Sequence, residues 1–147
     1  MKLSTRARYA ARALAELASL GPDTTAAVRD VAQKQRISDK YLEQILKPLR
    51  VAGIVRAARG MRGGYALARP PASITLKELF QILEGSVAPV HCVDDPDSCS
   101  MADVCPTRET WVEVRDSVEA VLERTTIQDL VERKKQKAVL TSMMYHI

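Results

Sequence analysis

Apolar residues return with a helical period from the start of the chain. Ala10, Ala13, Leu14 and Leu17 fall at i, i+3, i+4 and i+7, one face of a helix. That helix should begin near Ser4 and stop at Gly21-Pro22. A shorter helix, roughly Val28 to Lys34, turns Val28, Val31 and Ala32 inward, and Arg36-Ile37 reads as a tight turn. Ser38 suits the N-cap of the next helix, because its hydroxyl can accept from an orphan backbone N–H. There Leu42, Ile45, Leu46 and Leu49 repeat the spacing of one face. Lys40, Glu43, Gln44 and Lys47 are displaced from them by two residues, about 200° of rotation, and take the opposite face. Pro48 lacks an N–H and should kink or close this helix near its end.

The period then changes. Ile54 to Arg59 and Tyr65 to Ala68 are strand-like runs on either side of Gly60-Met61-Arg62-Gly63-Gly64, the pattern of a β-hairpin, which Pro70-Pro71 closes. Thr75-Leu76-Lys77-Glu78 has the form of a capping box. It opens a helix with Leu76, Leu79, Phe80 and Leu83 on one face and Gly85 at its end. Residues 86–106 read as loop. A long helix follows from Thr107 to about Arg124, with Trp111, Val114, Val118 and Val121 spaced 3, 4, 3 as a heptad-like seam. A last helix starts after Thr125-Thr126, and the basic tail from Arg133 is expected to fray.

This order of elements is that of a mainly α fold: a winged helix-turn-helix with a two-stranded β-hairpin wing and a long C-terminal dimerisation helix. Residues 1–85 would form the DNA-binding domain, 86–106 a cysteine-bearing loop, and 107–147 the dimerisation helix and tail. Charge agrees with that division. Residues 1–69 hold 14 Lys/Arg against 5 Asp/Glu, and residues 70–147 hold 8 against 13. A basic half suits a polyanion. No run approaches the ~18 apolar residues of a membrane span. Arg6, Arg8, Arg12 and Glu16 break up any signal-peptide core. The expected location is the cytoplasm, with no membrane partner.

A helix fits the major groove and must present hydrogen-bonding side chains to base edges. Gln44 can address adenine, Glu43 can accept from cytosine, and Lys40 and Lys47 can reach guanine or phosphate. Arg59 and Arg62, set among glycines, can enter a minor groove or hold a phosphate. Arg6, Arg8 and Arg12 can add backbone contacts. Any surface helix has a polar outer face. The wing arginines and the basic half favour a double-stranded DNA operator over a protein-docking module.

Ser38-Asp39-Lys40-Tyr41-Leu42-Glu43-Gln44-Ile45-Leu46, followed by Arg59-Gly60-Met61-Arg62-Gly63-Gly64-Tyr65, resembles the Rrf-two family of bacterial transcription regulators. Met1-Lys2-Leu3-Ser4 and Arg8-Tyr9-Ala10 add to the resemblance, which extends to about residue 131. It implies a homodimeric winged-helix repressor or activator. It also implies that Ser38, Lys40, Tyr41, Leu42, Glu43 and Gln44 form the recognition region and that Arg59 is the wing contact. Lys40 departs from the small polar residue of the best-known branch, which bears on the operator sequence.

All three cysteines fall in the loop, as Cys92-x6-Cys99-x5-Cys105. Thiolates bind soft and borderline metals, and iron–sulfur clusters prefer them. Zinc sites usually contain closer cysteine pairs, absent here. The spacing therefore suggests a metal site, with an iron–sulfur cluster (2Fe–2S or 4Fe–4S) ahead of zinc, against three reduced and reactive thiols. The IscR-type iron–sulfur branch of the family places three cysteines in this loop, and Cys92, Cys99 and Cys105 resemble that set with one extra residue between the first two. By the same resemblance a fourth ligand is expected three residues after the last cysteine or at a first-helix position of the partner. Those positions are Arg108 and Arg8, neither a ligand. His91, Asp103, Glu109 or a small exogenous ligand remain, and His146 reads as solvated.

The long helix starts directly after Cys105, so ligand binding by residues 92–105 would order the loop and shift the spacing of two recognition helices in a dimer. Iron–sulfur supply, redox state and nitric oxide all fit such a sensor. The alternatives are a cluster-free thiol- or zinc-dependent regulator and an RNA- or protein-binding winged helix. No nucleophile–base pair, phosphate-binding glycine loop or paired-histidine motif is present, so no enzyme is expected.

Overall fold

The computed structural model describes residues 4–61 and 63–145. Its first helix, α1 (Thr5–Ser19), starts at Ser4, whose hydroxyl accepts from the backbone N–H groups of Arg6 and Ala7. Ala7, Ala10 and Ala13 are fully buried along it, and such small residues let the other helices approach closely. Helix α2 (Val28–Gln35) ends at Arg36, which is left-handed at φ 56°. The N–H groups of Arg36 and Ile37 return to the carbonyls of Gln33 and Ala32, making the expected tight turn. Helix α3 (Asp39–Val51) then begins at Ser38, whose hydroxyl accepts from the Tyr41 N–H at 3.2 Å. Leu42, Ile45, Leu46 and Leu49 are all buried. The helix continues past Pro48 to Val51, because that proline lies near its end and only one helical bond is forfeited.

Strands β1 (Val55–Ala58) and β2 (Gly64–Leu67) pair antiparallel, with Val55 opposite Leu67 and Ala58 opposite Gly64. This wing is tied down near its tip, along β2. The Ala26 N–H donates to the Tyr65 carbonyl at 2.9 Å, and the Tyr65 N–H donates to the Ala26 carbonyl at 2.8 Å. After a single 3-10 turn at Pro71–Ser73 comes α4 (Leu76–Glu84), capped by the Thr75 hydroxyl, which accepts from the Glu78 N–H at 3.2 Å. Only this half of the expected capping box forms with its own cap. The Glu78 carboxylate instead accepts from Arg69 at 2.7 Å, a partner supplied by the end of the wing. Gly85, at φ 79°, ends the helix.

Residues 86–107 are irregular apart from single 3-10 turns at His91–Val93 and Pro96–Ser98. Helix α5 (Arg108–Glu123) packs on α4, where Lys77 lies 3.3 Å from Glu119 and 3.2 Å from Glu123. Leu122 and Val118 reach the core of the same chain, while Trp111 is 37% and Val121 47% exposed. The heptad-like seam is thus divided between the chain's own core and an open face.

Helix α6 (Ile127–Met144) has the full capping box. The Thr126 N–H donates to the Asp129 carboxylate at 2.7 Å, and the Asp129 N–H donates to the Thr126 hydroxyl at 3.2 Å. The tail from Arg133, expected to fray, continues this helix to Met144, with every side chain from Glu132 to Tyr145 exposed. Its Arg, Lys, Gln, Ala, Leu and Met are good helix formers, which suits a stretch with little tertiary support. The start of α6 does have that support. The Ile127 N–H donates to the Ile74 carbonyl at 2.9 Å, the Leu76 N–H donates to the Thr125 carbonyl at 2.8 Å, and Ile127 is fully buried. No helix among the described residues is long and apolar enough to cross a membrane.

Candidate nucleic-acid interface and cysteine loop

Lys40, Glu43, Gln44 and Lys47 are all exposed on the outer face of α3. Leu42, grouped with them by resemblance, is fully buried. Its side chain therefore holds the helix on the core and is not presented to a ligand. Ser38 is exposed, but its hydroxyl is engaged as the cap. Tyr41 is half-buried. Its ring meets Tyr9 edge-on at a centroid distance of 6.1 Å, and its hydroxyl lies 3.3 Å from that of Thr5. Tyr41 thus locks the first turn of α3 to the first turns of α1. The sequence carried no signal for this, since the partners are more than thirty residues apart.

Arg6, Arg8 and Arg12 are exposed, and Arg6 lines a shallow hollow together with Gln44 and Lys47. Arg12 stacks over the Tyr9 ring at 5.4 Å. Arg59 is exposed at the end of the wing. Arg62 and His146 lie outside the described residues, as do Met1, Lys2 and Leu3. The tip needs glycine at Gly64. A Cβ there would stand 2.1 Å from the Ala26 carbonyl oxygen, so the bare backbone is what lets the wing seat against that segment. Helix and wing together offer the parts of a duplex reader: polar side chains on one groove-sized helix, and a cation on an adjoining hairpin.

Among the described residues Glu16 is the one buried carboxylate, and it holds three helices together. It accepts from Lys34 of α2 at 2.5 Å and from Lys134 of α6. Burial alone would raise its pKa, but the hydrogen bonds from Lys134 and Lys34 outweigh that and hold the carboxyl below its ordinary value.

Cys92, Cys99 and Cys105 are half-buried and free. The Cys105 Sγ lies 3.3 Å from the Thr107 hydroxyl, and that contact holds the thiol below its usual range. Two arginines fasten the loop to α5. The Arg108 Nε donates to the Cys92 carbonyl at 3.2 Å, and the Arg115 guanidinium donates to the Val93 carbonyl at 3.3 Å. Arg108 occupies the position where the resemblance expects a fourth ligand. Here it is a structural tie. Of the remaining candidates for a fourth ligand, His91 lies 3.8 Å from Asp95, and Asp103 and Glu109 are exposed. The three thiols have the donor chemistry of an iron–sulfur or zinc site. Among the described residues, however, no three of His, Cys, Asp and Glu converge to hold a metal ion.

The family model for Rrf2, an iron-dependent transcriptional regulator, matches residues 3–133. The chain is similar to the HTH-type transcriptional regulator CymR of Bacillus subtilis (strain 168), with 38% identity over 88% of this chain and 89% of that protein. The solved structure of CymR (YrzC), the global cysteine regulator of B. subtilis, superposes with a TM-score of 0.76 at 37% identity, over 90% of this chain and 98% of that one. The structure of T. potens IscR gives a TM-score of 0.77 at 31% identity, over 93% of this chain and 90% of that one. These relatives are winged-helix regulators, not enzymes, in agreement with the order of elements read from the sequence.

Proposed function

The chain belongs to the Rrf2 family of transcriptional regulators, and on that premise we propose that it reads a two-fold duplex operator as a homodimer and senses through its cysteine loop. The observation that carries the DNA reading is the exposed quartet on α3, whose opposite face is wholly buried. Gln44 and Glu43 would address base edges, Lys40 and Lys47 guanine or phosphate, and Arg59 the backbone or minor groove beside the wing. Ser38 and Tyr41 would set the pose of the helix. Arg62 joins Arg59 in this proposal from sequence alone. The exposed Trp111 and Val121 on α5 offer an apolar strip for the partner, with the two recognition helices about 34 Å apart.

Gln44→Ala is expected to relax base preference, with a loss of about 1–3 kcal/mol on the preferred duplex only. Arg59→Ala is expected to weaken all duplexes more evenly. Gel shifts on operator and scrambled duplex at fixed salt measure both, because phosphate contacts make affinity steeply salt-dependent. If both variants lose preference alike, the division of roles fails. Tighter binding to single-stranded RNA than to any duplex would refute the DNA reading.

For the signal, Cys92, Cys99 and Cys105 would hold an iron–sulfur cluster once the loop closes, with a fourth ligand from His91, Asp103, Glu109 or solution. When bound, such a group supplies sensitivity to oxidants, nitric oxide and cluster supply. The chain's own part is mechanical. Through the Arg108 and Arg115 ties to Cys92 and Val93, any rearrangement of the loop pulls on the first turns of α5, and through α5 on the dimer. A coupling of about 1–3 kcal/mol is the usual scale for such linkage.

A second reading, sensing without a cluster by the thiols or by a sulfur-containing small molecule, is favoured by the likeness to a cysteine regulator. The absorption spectrum of anaerobically purified protein, with iron and acid-labile sulfide counted, decides between them. The cluster reading expects a brown protein with matched iron and sulfide. A colourless protein that stays free of iron after reconstitution would leave zinc or thiol sensing.

A further inference from the structure

Between α1, the end of α2 and α6 lies an open hollow of about 810 Å3. Arg12, Lys34, Arg133, Lys134 and Lys137 line it, with Glu16 as its one carboxylate. Glu16 is already committed to Lys34 and Lys134. Arg12, Arg133 and Lys137 form no ion pair among the described residues, so the hollow keeps a surplus of positive charge. We infer that it holds the phosphate backbone of the duplex, flanking the bases addressed by α3. This rests on the reading of α3 as the DNA-contacting helix.

Two observations select duplex phosphate over a small anion. The first is continuity with the recognition helix. Arg12 stacks on Tyr9, and Tyr9 packs on Tyr41 in the first turn of α3. Lys34 and Gln35 close α2, and only the turn at Arg36 and Ile37 separates them from the Ser38 cap. The hollow therefore adjoins the N-terminal end of α3, the end that enters a major groove in helix-turn-helix proteins. The second is the layout of the charges. A single small anion calls for convergent donors. Here Arg133 and Lys137 stand one turn apart on one face of α6, about 6 Å along its axis, on a stretch exposed throughout. An extended array of cations matches an extended polyanion.

The test is the salt dependence with which the full chain binds a duplex selected by the unaltered protein from a random-sequence pool, used here as the operator. The variant is Arg133→Gln with Lys137→Gln, both exposed, so folding is not at stake. Two lost phosphate contacts per protomer predict affinity lower by about tenfold near physiological salt, and a log–log salt slope shallower by about 1.8 for each bound protomer. Preference for operator over scrambled duplex should not change. Lys135→Gln with Arg124→Gln removes the same charge outside the hollow and should have a clearly smaller effect. Unchanged affinity and slope in the first variant overturns the inference and leaves the hollow to a small anion. So does an equal loss in the control pair. Absence of any duplex preference in the unaltered protein instead overturns the reading of α3, and this inference with it.

Discussion

Gly64→Ala should cost about 3–4 kcal/mol of stability and loosen the wing, a large fraction of what a domain of this size holds. The added Cβ would lie 2.1 Å from the Ala26 carbonyl oxygen, 2.5 Å from its carbon and 2.9 Å from the Ala27 nitrogen. All three are backbone atoms at the entry to α2, and none can swing aside as a side-chain end can. Relief means breaking the paired hydrogen bonds between Ala26 and Tyr65. Urea unfolding should show a lower midpoint at an unchanged slope. A protein that remains folded in native buffer should still lose the contribution of Arg59, because the wing no longer has a fixed pose. Stability within about 0.5 kcal/mol of the parent would mean that the wing does not seat on this segment.

Leu42→Ala carries the second large effect. Leu42 is fully buried among the core residues of α3 and its neighbours, and truncation of such a leucine costs about 2.7–5 kcal/mol through lost transfer energy and the cavity left behind. Its neighbours Glu43 and Gln44 are exposed. The substitution should therefore lower the fraction folded, while the folded molecules keep their preference among duplexes. Thermal or urea melts read the first effect, and competition gel shifts well below the melting temperature read the second. A change of base preference with little loss of stability would place the Leu42 side chain against DNA and overturn its assignment to the core.

These two residues also mark where sequence reasoning succeeds and where it stops. Family likeness puts Leu42 within the recognition region, whereas the simple spacing of Leu42, Ile45, Leu46 and Leu49 already assigns it to the core face. Periodicity is the better guide there, because a helix has two sides and a contiguous motif covers both. The cysteine loop shows the reverse case. Three thiols within residues 92–105 are plain in the sequence, and so is the chemistry they favour. The use of Arg108 as a tie to the Cys92 carbonyl depends on backbone geometry that no spacing rule supplies.

Readable in advance were the features carried by neighbours along the chain. The caps at Ser4, Ser38 and Thr75, the helical stripes, the turn at Arg36, the glycine-rich hairpin and the outward quartet on α3 all follow from contacts within a few residues, where propensity and hydrogen-bond geometry act locally. The fold alone decided what distant segments do to one another. It drew Glu78 from its cap to Arg69, and it joined α1, α2 and α6 through Glu16. It seated the wing on Ala26, and it laid the helical basic tail along a cationic hollow. Those outcomes turn on which partner wins a buried or half-buried polar group. That competition is settled only when the whole core has closed, because burial is what makes leaving such a group unpaired costly.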